Sequence, residues 1–197
     1  MTDGGGDTKG DLADRRGLER DVYQPAEDSR LLAEAAVEHA RGRTLEVGTG
    51  SGWVAERIAT ETDADVVASD FNDAACRQAR DRGVEAVRAD LVDPFRDGCF
   101  DTVAFNPPYL PTDPDNEWDD RMERALSGGE SGRAVIEPFL DTVGRVLQPD
   151  GVVLLLVSSL TGFDAVVDRA ERRGFAVSTV RQESYPFEVL SILRLDK

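Results

Sequence analysis

Histidine and cysteine are almost absent from this sequence. Its 197 residues include one histidine, His39, and two cysteines, Cys76 and Cys99, which are far apart and lack the spacing of metal ligands. We therefore predict no metal site, no disulfide framework and no catalytic triad built around histidine. His39 falls late in a helical pattern, where it complements the helix dipole, and the cysteines are predicted to be small, buried or half-buried side chains. Any acid–base chemistry falls to carboxylates or tyrosine.

Long apolar runs are also missing. The longest, GVVLLLV at 151–157, has the length of a strand, whereas a membrane-spanning helix needs about 20 apolar residues. Residues 1–20 are polar, carry acidic side chains and contain no apolar core of a signal peptide, so we predict a mobile polar tail. Residues 21–197 are predicted to form a single domain, and the chain is expected to be cytoplasmic and free of membrane contacts.

Lysine is scarce as well. Only Lys9 and Lys197 are lysines among 23 basic residues, against 39 acidic ones, which gives a formal net charge of −16. This acidic, lysine-poor composition resembles that of proteins from extreme halophiles. An acidic surface repels phosphate backbones at low salt, but at about 1 M salt the screening length falls to about 3 Å. The charge therefore argues only modestly against a nucleic-acid partner.

Short apolar runs alternate with helical patterns along the chain, which is typical of βαβ units and a parallel sheet covered on both faces. The last two runs, FAVSTVRQ and FEVLSILRL, are joined by a link too short for a helical crossover, so they are predicted to pair as an antiparallel hairpin. The sequence thus predicts an α/β fold with a mostly parallel, seven-stranded sheet that ends in this hairpin. The other predicted strands are RTLEVG, DVVASD, VEAVRAD, FDTVAF and GVVLLLVSS.

Helical patterns separate most of these strands. They are SRLLAEAAVEHAR, WVAERIATET, DAACRQARDRG and FDAVVDRAERRG. A further helix is predicted over about 132–147, with Pro138 able to interrupt or restart it. An irregular segment is predicted at about 106–131, and QPDG at 148–151 is predicted to be a turn.

A glycine-rich stretch, LEVGTGSGW, places Gly48, Gly50 and Gly52 between a predicted strand and a predicted helix. Glycines at that point allow positive φ and close backbone approach, which leaves helix N-terminal amides for an anionic or polar ligand. Asp70 ends the next strand, where a carboxylate can accept both ribose hydroxyls of a nucleoside. Trp53 occupies the position where the dinucleotide pattern requires glycine. We therefore predict a nucleoside cofactor other than a dinucleotide.

Other residues add to this predicted site. Glu46 stands just ahead of the glycine loop, and the third predicted strand ends in Asp90 and Leu91. An acid at that strand end can accept a hydrogen bond from an adenine amino group while leucine packs against the ring; an ordinary loop acid is the alternative. A GxxxxGK[ST] phosphate loop is absent from the sequence, which argues against ATP.

The segment FNPPYLPTD follows the fourth predicted strand, so Asn106 falls at the carboxyl edge of the sheet, where open α/β sheets bind ligands. Pro107 and Pro108 fix φ and lack N–H groups, which holds the Pro107 carbonyl still and leaves few local donors to compete for it. That carbonyl and the side-chain oxygen of Asn106 can together accept two hydrogen bonds from one NH2 group. Tyr109 offers a flat ring against which a planar substrate can lie. We predict that these four residues bind an amino-group substrate, with Asn106, Pro107 and Tyr109 in catalytic roles.

Asn-Pro-Pro-Tyr after the fourth strand, together with LEVGTGSG and Asp70, resembles the amino-methyltransferases that use S-adenosylmethionine. That family methylates exocyclic NH2 groups of adenine or cytosine, or the side-chain amide of glutamine. The stretch VYQPAEDSRLL at 22–32 resembles the HemK-type glutamine methyltransferases of the short archaeal and eukaryotic branch, whose P-x-E-D-[ST] element folds over the cofactor. NPPYLP and GGESGR at 128–133 agree with this branch, and the resemblance covers about residues 20–195.

The resemblance implies a Rossmann-like class I methyltransferase fold, S-adenosylmethionine as cofactor, and N5-methylation of the glutamine in the Gly-Gly-Gln loop of class 1 release factors. It also implies a heterodimer with a small zinc-binding activator subunit. For Arg133, orientation of the substrate loop and a surface ion pair are equally good interpretations. The cofactor-binding residues that it implies are Gln24 and Pro25 in the covering segment, Ser29 over the methionine moiety, Glu46, Gly48 and Gly50 along the glycine loop, Asp70 at the ribose, Asp90 and Leu91 at the adenine, and Asn106.

Three alternatives stay open. The same acceptors and Tyr109 suit an N6-adenine methyltransferase that acts on a flipped base of RNA or DNA, although a target-recognition domain and a local basic cluster are missing from the sequence. Relatives linked to lysine make a protein lysine methyltransferase the second alternative. The third is an idle scaffold subunit, against which the retention of Asp70 and the NPPY residues argues.

Overall fold

The computed structural model describes residues 22–111 and 127–197, and the predicted tail at 1–20 lies outside them. The described helices are α1 (Glu27–His39), α2 (Trp53–Glu61), α3 (Asp73–Asp81), α4 (Ile136–Val146) and α5 (Phe163–Arg172). The described strands are β1 (Arg43–Val47), β2 (Asp65–Asp70), β3 (Glu85–Arg88), β4 (Phe100–Phe105), β5 (Leu147–Ser158), β6 (Ala176–Ser184) and β7 (Val189–Asp196). A short 3-10 helix at Ser159–Thr161 follows β5.

The seven strands form one sheet in the order β3-β2-β1-β4-β5-β7-β6. Strands β1 to β5 pair in parallel, whereas β7 pairs antiparallel with both β5 and β6. The predicted mostly parallel sheet with a C-terminal antiparallel hairpin is therefore confirmed. β3 covers only Glu85–Arg88 and is shorter than the predicted run VEAVRAD, because β3 pairs only with β2 and β2 ends at Asp70, the partner of Arg88.

Helices cover both faces of the sheet, and this explains why the central part of β5 is continuously apolar. Val153, Leu155 and Val157 point into a core layer with α4 and α5, whereas Leu154 and Leu156 point into the layer formed by α1, α2 and α3. Successive side chains of a strand alternate between faces, so a strand buried on both sides needs an apolar residue at every position.

The predicted turn QPDG at 148–151 is instead part of β5. Phe100 of β4 pairs with Leu147, but Thr102 pairs with Val152, so the extra residues of β5 bulge out of the ladder. Gln148–Asp150 are exposed in this bulge. Proline lacks the N–H group that a regular ladder needs, and a bulge is where a strand tolerates it.

Helix α4 begins at Ile136, later than the predicted start near 132, and Pro138 is its third residue rather than an interruption. The first N–H groups of a helix have no partner inside the helix, so proline in the first turn breaks no hydrogen bond. The preceding GGESGR stretch forms a tight loop, closed by the Ala134 amide on the Gly128 carbonyl at 2.8 Å. Of the irregular segment predicted at 106–131, residues 112–126 lie outside the described part of the chain.

The scarce residue types occupy ordinary structural positions. His39 lies in the last turn of α1, Cys76 is a buried residue of α3, and Cys99 is half-buried. Across residues 22–111 and 127–197 we find neither a metal-binding cluster of histidine, cysteine and acidic side chains nor a helix of the length and hydropathy needed to span a bilayer.

Phe139 joins α4 to the sheet directly below the carboxyl end of β4. Its ring lies 4.6 Å from that of Phe105, centroid to centroid, and its side chain is fully buried. We expect Phe139→Ala to lower the free energy of unfolding by about 3–5 kcal/mol, because it removes buried area and leaves a cavity. Urea unfolding measures this. Phe187→Ala is the matched control: that ring is 92% exposed, and its loss should change stability by less than about 0.5 kcal/mol. Equal losses in the two variants would contradict this packing.

Candidate active site

A cleft of about 720 Å³ opens at the carboxyl ends of β1, β2 and β4. β1 leads into α2 on one face of the sheet and the chain after β4 leads into α4 on the other face, so the two adjacent strands mark a topological switch point. Open α/β sheets bind ligands at such points because the loops diverge and leave a crevice. Four groups of residues line this one: five residues of the segment 22–29 (Val22, Tyr23, Pro25, Asp28 and Ser29), the glycine loop, the segments after β2 and β3, and the NPPY turn.

The glycine loop is shaped by two close approaches. Gly50 has φ +53°, and a Cβ there would lie 3.1 Å from the backbone oxygen of Tyr23. Gly52, the residue before α2, has φ +81°, and a Cβ there would lie 2.6 Å from Cα of Ala79. A side chain at either position would strain the loop; at Gly50 it would also fill the cradle between the loop and the segment at 22–29, and at Gly52 it would clash with α3.

Glu46 lies beneath the loop as a buried carboxyl group, with 3% of its surface exposed. Its Oε2 accepts hydrogen bonds from the Thr49 hydroxyl and, at 3.1 Å, from the Ala55 amide. Burial, with a smaller contribution from the charge of Asp70, raises the pKa of Glu46 to about 8. Burial therefore favours the protonated form of this group near neutral pH.

Asp70, the last residue of β2, is oriented by two backbone donors. Its Oδ2 accepts the Gly50 amide at 2.9 Å and its Oδ1 accepts the Asn72 amide at 2.7 Å. Burial raises the pKa of Asp70, whereas these two hydrogen bonds lower it. Each carboxylate oxygen keeps further lone pairs, so the group can still accept hydroxyl donors from the cleft.

Asp90 and Leu91 form the wall beyond β3. The Asp93 amide donates to the Asp90 carbonyl at 3.1 Å, and Leu91 takes the left-handed conformation, with φ +46°. Among the described residues, Leu91 is the one non-glycine residue with positive φ. That conformation costs a leucine on the order of 1 kcal/mol, and such strain is concentrated at ligand sites. It aims an apolar side chain into the cleft, while the Asp90 side chain is exposed at the rim.

The NPPY turn contributes a hydrogen-bond acceptor that no described residue pairs with. The Oδ1 atom of Asn106 is buried and has no hydrogen-bond partner in the described part of the chain. Pro107 is buried beside it, and neither Pro107 nor Pro108 has an N–H group to offer. A buried acceptor left unpaired destabilises the fold by about 1–3 kcal/mol. A donor from a bound ligand would remove this penalty.

Residues 22–29 close the other side of the cleft. Pro25 and Ser29 line it, as does Tyr23. Gln24 does not, because its side-chain amide turns back to the Val22 carbonyl at 3.3 Å. The cleft thus brings together all the predicted site residues apart from Gln24.

Among the cleft residues that the sequence-based site did not include, two form a polar pair. Asp28 and Tyr23 line the cleft, and the Tyr23 hydroxyl lies 2.8 Å from Oδ1 of Asp28. Asp28 belongs to the PAEDS element that the resemblance singled out. Its position next to Ser29 in that element could have predicted it as a site residue. Arg133 pairs with Glu137 at 3.2 Å and donates to the Thr161 carbonyl, outside the cleft wall.

The buried carboxyl of Glu46 gives a pH test of this geometry. Between about pH 4.5 and 8 the folded chain keeps this proton while the unfolded chain loses it. The free energy of unfolding therefore falls as pH rises, by up to about 1.4 kcal/mol per pH unit. In Glu46→Gln this contribution is absent, and urea unfolding should show its stability gaining on that of the wild type from pH 5.5 to 8. The exposed control Glu85→Gln should follow the wild type. Parallel curves for Glu46→Gln and wild type would contradict the assignment.

Comparisons with known proteins agree with this architecture. A family model described as a methyltransferase domain matches residues 44–129. A putative protein N5-glutamine methyltransferase of Methanocaldococcus jannaschii is 33% identical over 182 residues, which cover 89% of this chain and 92% of that protein. The mouse protein Methyltransferase HEMK2 is 32% identical over 201 residues, which cover 92% of each chain.

A solved structure is similar over the same extent. A chain of the E. cuniculi Mtq2–Trm112 complex, described as responsible for the methylation of the eRF1 translation termination factor, superposes with a TM-score of 0.75. It is 30% identical, and the match covers 89% of this chain and 98% of that one.

The chemistry of the cleft fits S-adenosylmethionine, which carries an ammonium and a sulfonium cation. The half-buried acidic side chain of Asp70 and the buried one of Glu46 line the cradle, and the absence of side chains at Gly48 and Gly50 leaves it open. Opposite charges within a low-dielectric cleft attract strongly. With this fit and the extent of the similarity, the chain belongs to the HemK2-type family of protein N5-glutamine methyltransferases and is a Rossmann-like methyltransferase that uses S-adenosylmethionine.

Proposed function

We propose that this chain methylates the side-chain amide of the glutamine in the Gly-Gly-Gln motif of a class 1 release factor. It does so as the catalytic subunit of a heterodimer with a small zinc-binding activator, in the cytoplasm. The observation that carries the proposal is the buried Oδ1 of Asn106, an acceptor in the wall of the cleft that has no partner among residues 22–111 and 127–197. An NH2 group is the donor that suits this atom and the neighbouring Pro107 carbonyl together.

The amide nitrogen of glutamine is a weak nucleophile because its lone pair is delocalised into the carbonyl group. The two N–H groups donate hydrogen bonds to Asn106 Oδ1 and the Pro107 carbonyl, which hold the nitrogen in one orientation. The same acceptors stabilise the positive charge that develops on that nitrogen. S-adenosylmethionine would supply an electrophilic methyl group on its sulfonium and leave as S-adenosylhomocysteine when the S–CH3 bond breaks, and the methylated nitrogen would release one proton to water. Positioning of this kind contributes up to roughly 7–11 kcal/mol in favourable cases, so a strong general base is unnecessary.

The remaining residues of the cleft hold the cofactor in this proposal. Asp70 accepts the ribose hydroxyls, and Asp90 with Leu91 holds the adenine. Glu46 and the glycine loop face the methionine moiety, which Pro25 and Ser29 cover. Tyr109 presents its ring to the flat acceptor amide. The support for these roles is the shared cleft wall and the hydrogen bonds that fix Asp70 and Glu46.

The heterodimer rests on similarity. A chain that is 30% identical to this one over 98% of its own length occurs in a complex with Trm112, and that complex methylates eRF1. The Methanocaldococcus jannaschii relative is named for the same N5-glutamine reaction. These relatives support a protein acceptor over adenine in RNA or DNA, and the −16 net charge of this chain points the same way.

Removal of the unpaired acceptor tests the mechanism. We expect Asn106→Ala to lower kcat by about 10²–10³-fold, since it deletes an acceptor aimed at developing charge. Asn106→Asp keeps an oxygen at that position and should retain more activity than the alanine variant. Initial rates at saturating cofactor and acceptor give kcat for both. Wild-type kcat in the alanine variant would contradict the proposed role.

The acceptor itself is tested with labelled S-adenosylmethionine, the purified heterodimer and a class 1 release factor. Label is expected in the tryptic peptide that contains Gly-Gly-Gln, and none after Gln→Ala in that motif. Transfer that persists after this substitution, or that goes preferentially to an RNA or DNA oligonucleotide, would overturn the glutamine assignment.

A further inference from the structure

Asp28 is a buried acid to which the proposed mechanism gives no role. It is the second residue of α1, it lines the cleft, and 6% of its surface is exposed. No arginine, lysine or histidine within residues 22–111 and 127–197 forms an ion pair with it. Burying a carboxylate without a counter-charge destabilises the fold unless several hydrogen-bond donors compensate.

Two tyrosines from different walls of the cleft supply such donors. The Tyr23 hydroxyl lies 2.8 Å from each carboxylate oxygen of Asp28, and the Tyr109 hydroxyl lies 3.5 Å from Oδ2. The amide and hydroxyl of Ser29 also donate to Oδ1. Burial, and then the charge of Asp28, raise the pKa of both tyrosine hydroxyls, so both keep their protons and remain donors.

The two tyrosines belong to different halves of the site. Tyr23 is part of the segment over the glycine loop, with its backbone oxygen against Gly50. Tyr109 ends the NPPY turn, where the acceptor amide lies in the proposed mechanism. Tyr23 and Asp28 are five residues apart in the sequence, whereas Tyr109 and Asp28 are 81 apart. The Asp28 carboxylate therefore contacts both the segment 22–29, which covers the cofactor in the proposal, and the NPPY turn, which binds the acceptor.

We propose that Asp28 is a positioning residue that couples cofactor binding to acceptor alignment. Its charge holds Tyr23 over the glycine loop and orients the ring of Tyr109 at the acceptor turn. The 3.5 Å contact is longer than an ordinary O–H···O hydrogen bond of about 2.5–3.0 Å, and in this proposal it shortens when residues 22–29 pack on the cofactor. The coupling holds for any planar amino acceptor, so it does not depend on the choice of glutamine.

Asp28→Asn in the purified heterodimer tests this coupling, because it keeps the shape of the side chain and removes its charge. We expect the Kd for S-adenosylhomocysteine to rise about tenfold and kcat at saturating cofactor to fall about tenfold, the sizes typical of a lost charged hydrogen bond. Glu27→Gln is the matched control, since it neutralises the adjacent, exposed acid of the same helix turn. It should change neither quantity.

A double-mutant cycle separates positioning from a purely structural role. If Asp28 acts through Tyr109, the variant with both Asp28→Asn and Tyr109→Phe has a kcat within about twofold of the poorer single variant. Tyr23→Phe should lower kcat as well as cofactor affinity, and it serves in place of Asp28→Asn if that variant does not fold. Multiplicative effects in the cycle, or unchanged kcat at saturating cofactor in Tyr23→Phe, would overturn the proposal. The binding of S-adenosylhomocysteine needs no acceptor, so a failed glutamine assignment leaves that measurement valid.

Discussion

Parallel strands that end at one edge of a sheet bring together residues that are distant in the sequence, and the whole site depends on this constraint. β1, β2 and β4 end within one cleft, although Val47 and Phe105 are separated by two helices and two further strands. Helices cover both faces of the sheet, so polar groups cannot be gathered on a face without disrupting the apolar layers. The strand ends are the place where the chain can expose backbone and polar side chains to a ligand.

The cleft collects polar groups that a purely structural design would avoid. Glu46, Asp28 and the Oδ1 of Asn106 are all buried, and each is satisfied to a different degree. Glu46 and Asp28 have donors around them, whereas the Asn106 oxygen has none among the described residues. Such groups lower stability, and the core layers around Phe139 offset that loss. A ligand that completes their hydrogen bonds would restore the stability that these groups cost the fold.

The sequence was sufficient for the features that depend on local pattern. Alternating runs predicted the sheet and its hairpin, and the pattern of the glycine loop and Asp70 placed both at the edge of the sheet where the cleft opens. It was insufficient where the outcome depends on contacts made in the fold. QPDG has the composition of a turn, but pairing with β4 draws it into β5 as a bulge. Likewise, the junction of Tyr23 and Tyr109 at Asp28 joins segments 81 residues apart, which no local pattern reveals.

The central claim is that a side-chain oxygen and a proline carbonyl aim one amino group. A crystal structure of the heterodimer with S-adenosylhomocysteine and a Gly-Gly-Gln peptide tests it directly. The account predicts the glutamine Nε2 within about 2.7–3.2 Å of both Asn106 Oδ1 and the Pro107 carbonyl oxygen. A glutamine whose carbonyl oxygen faces Asn106, or whose amide lies outside the NPPY turn, would contradict it.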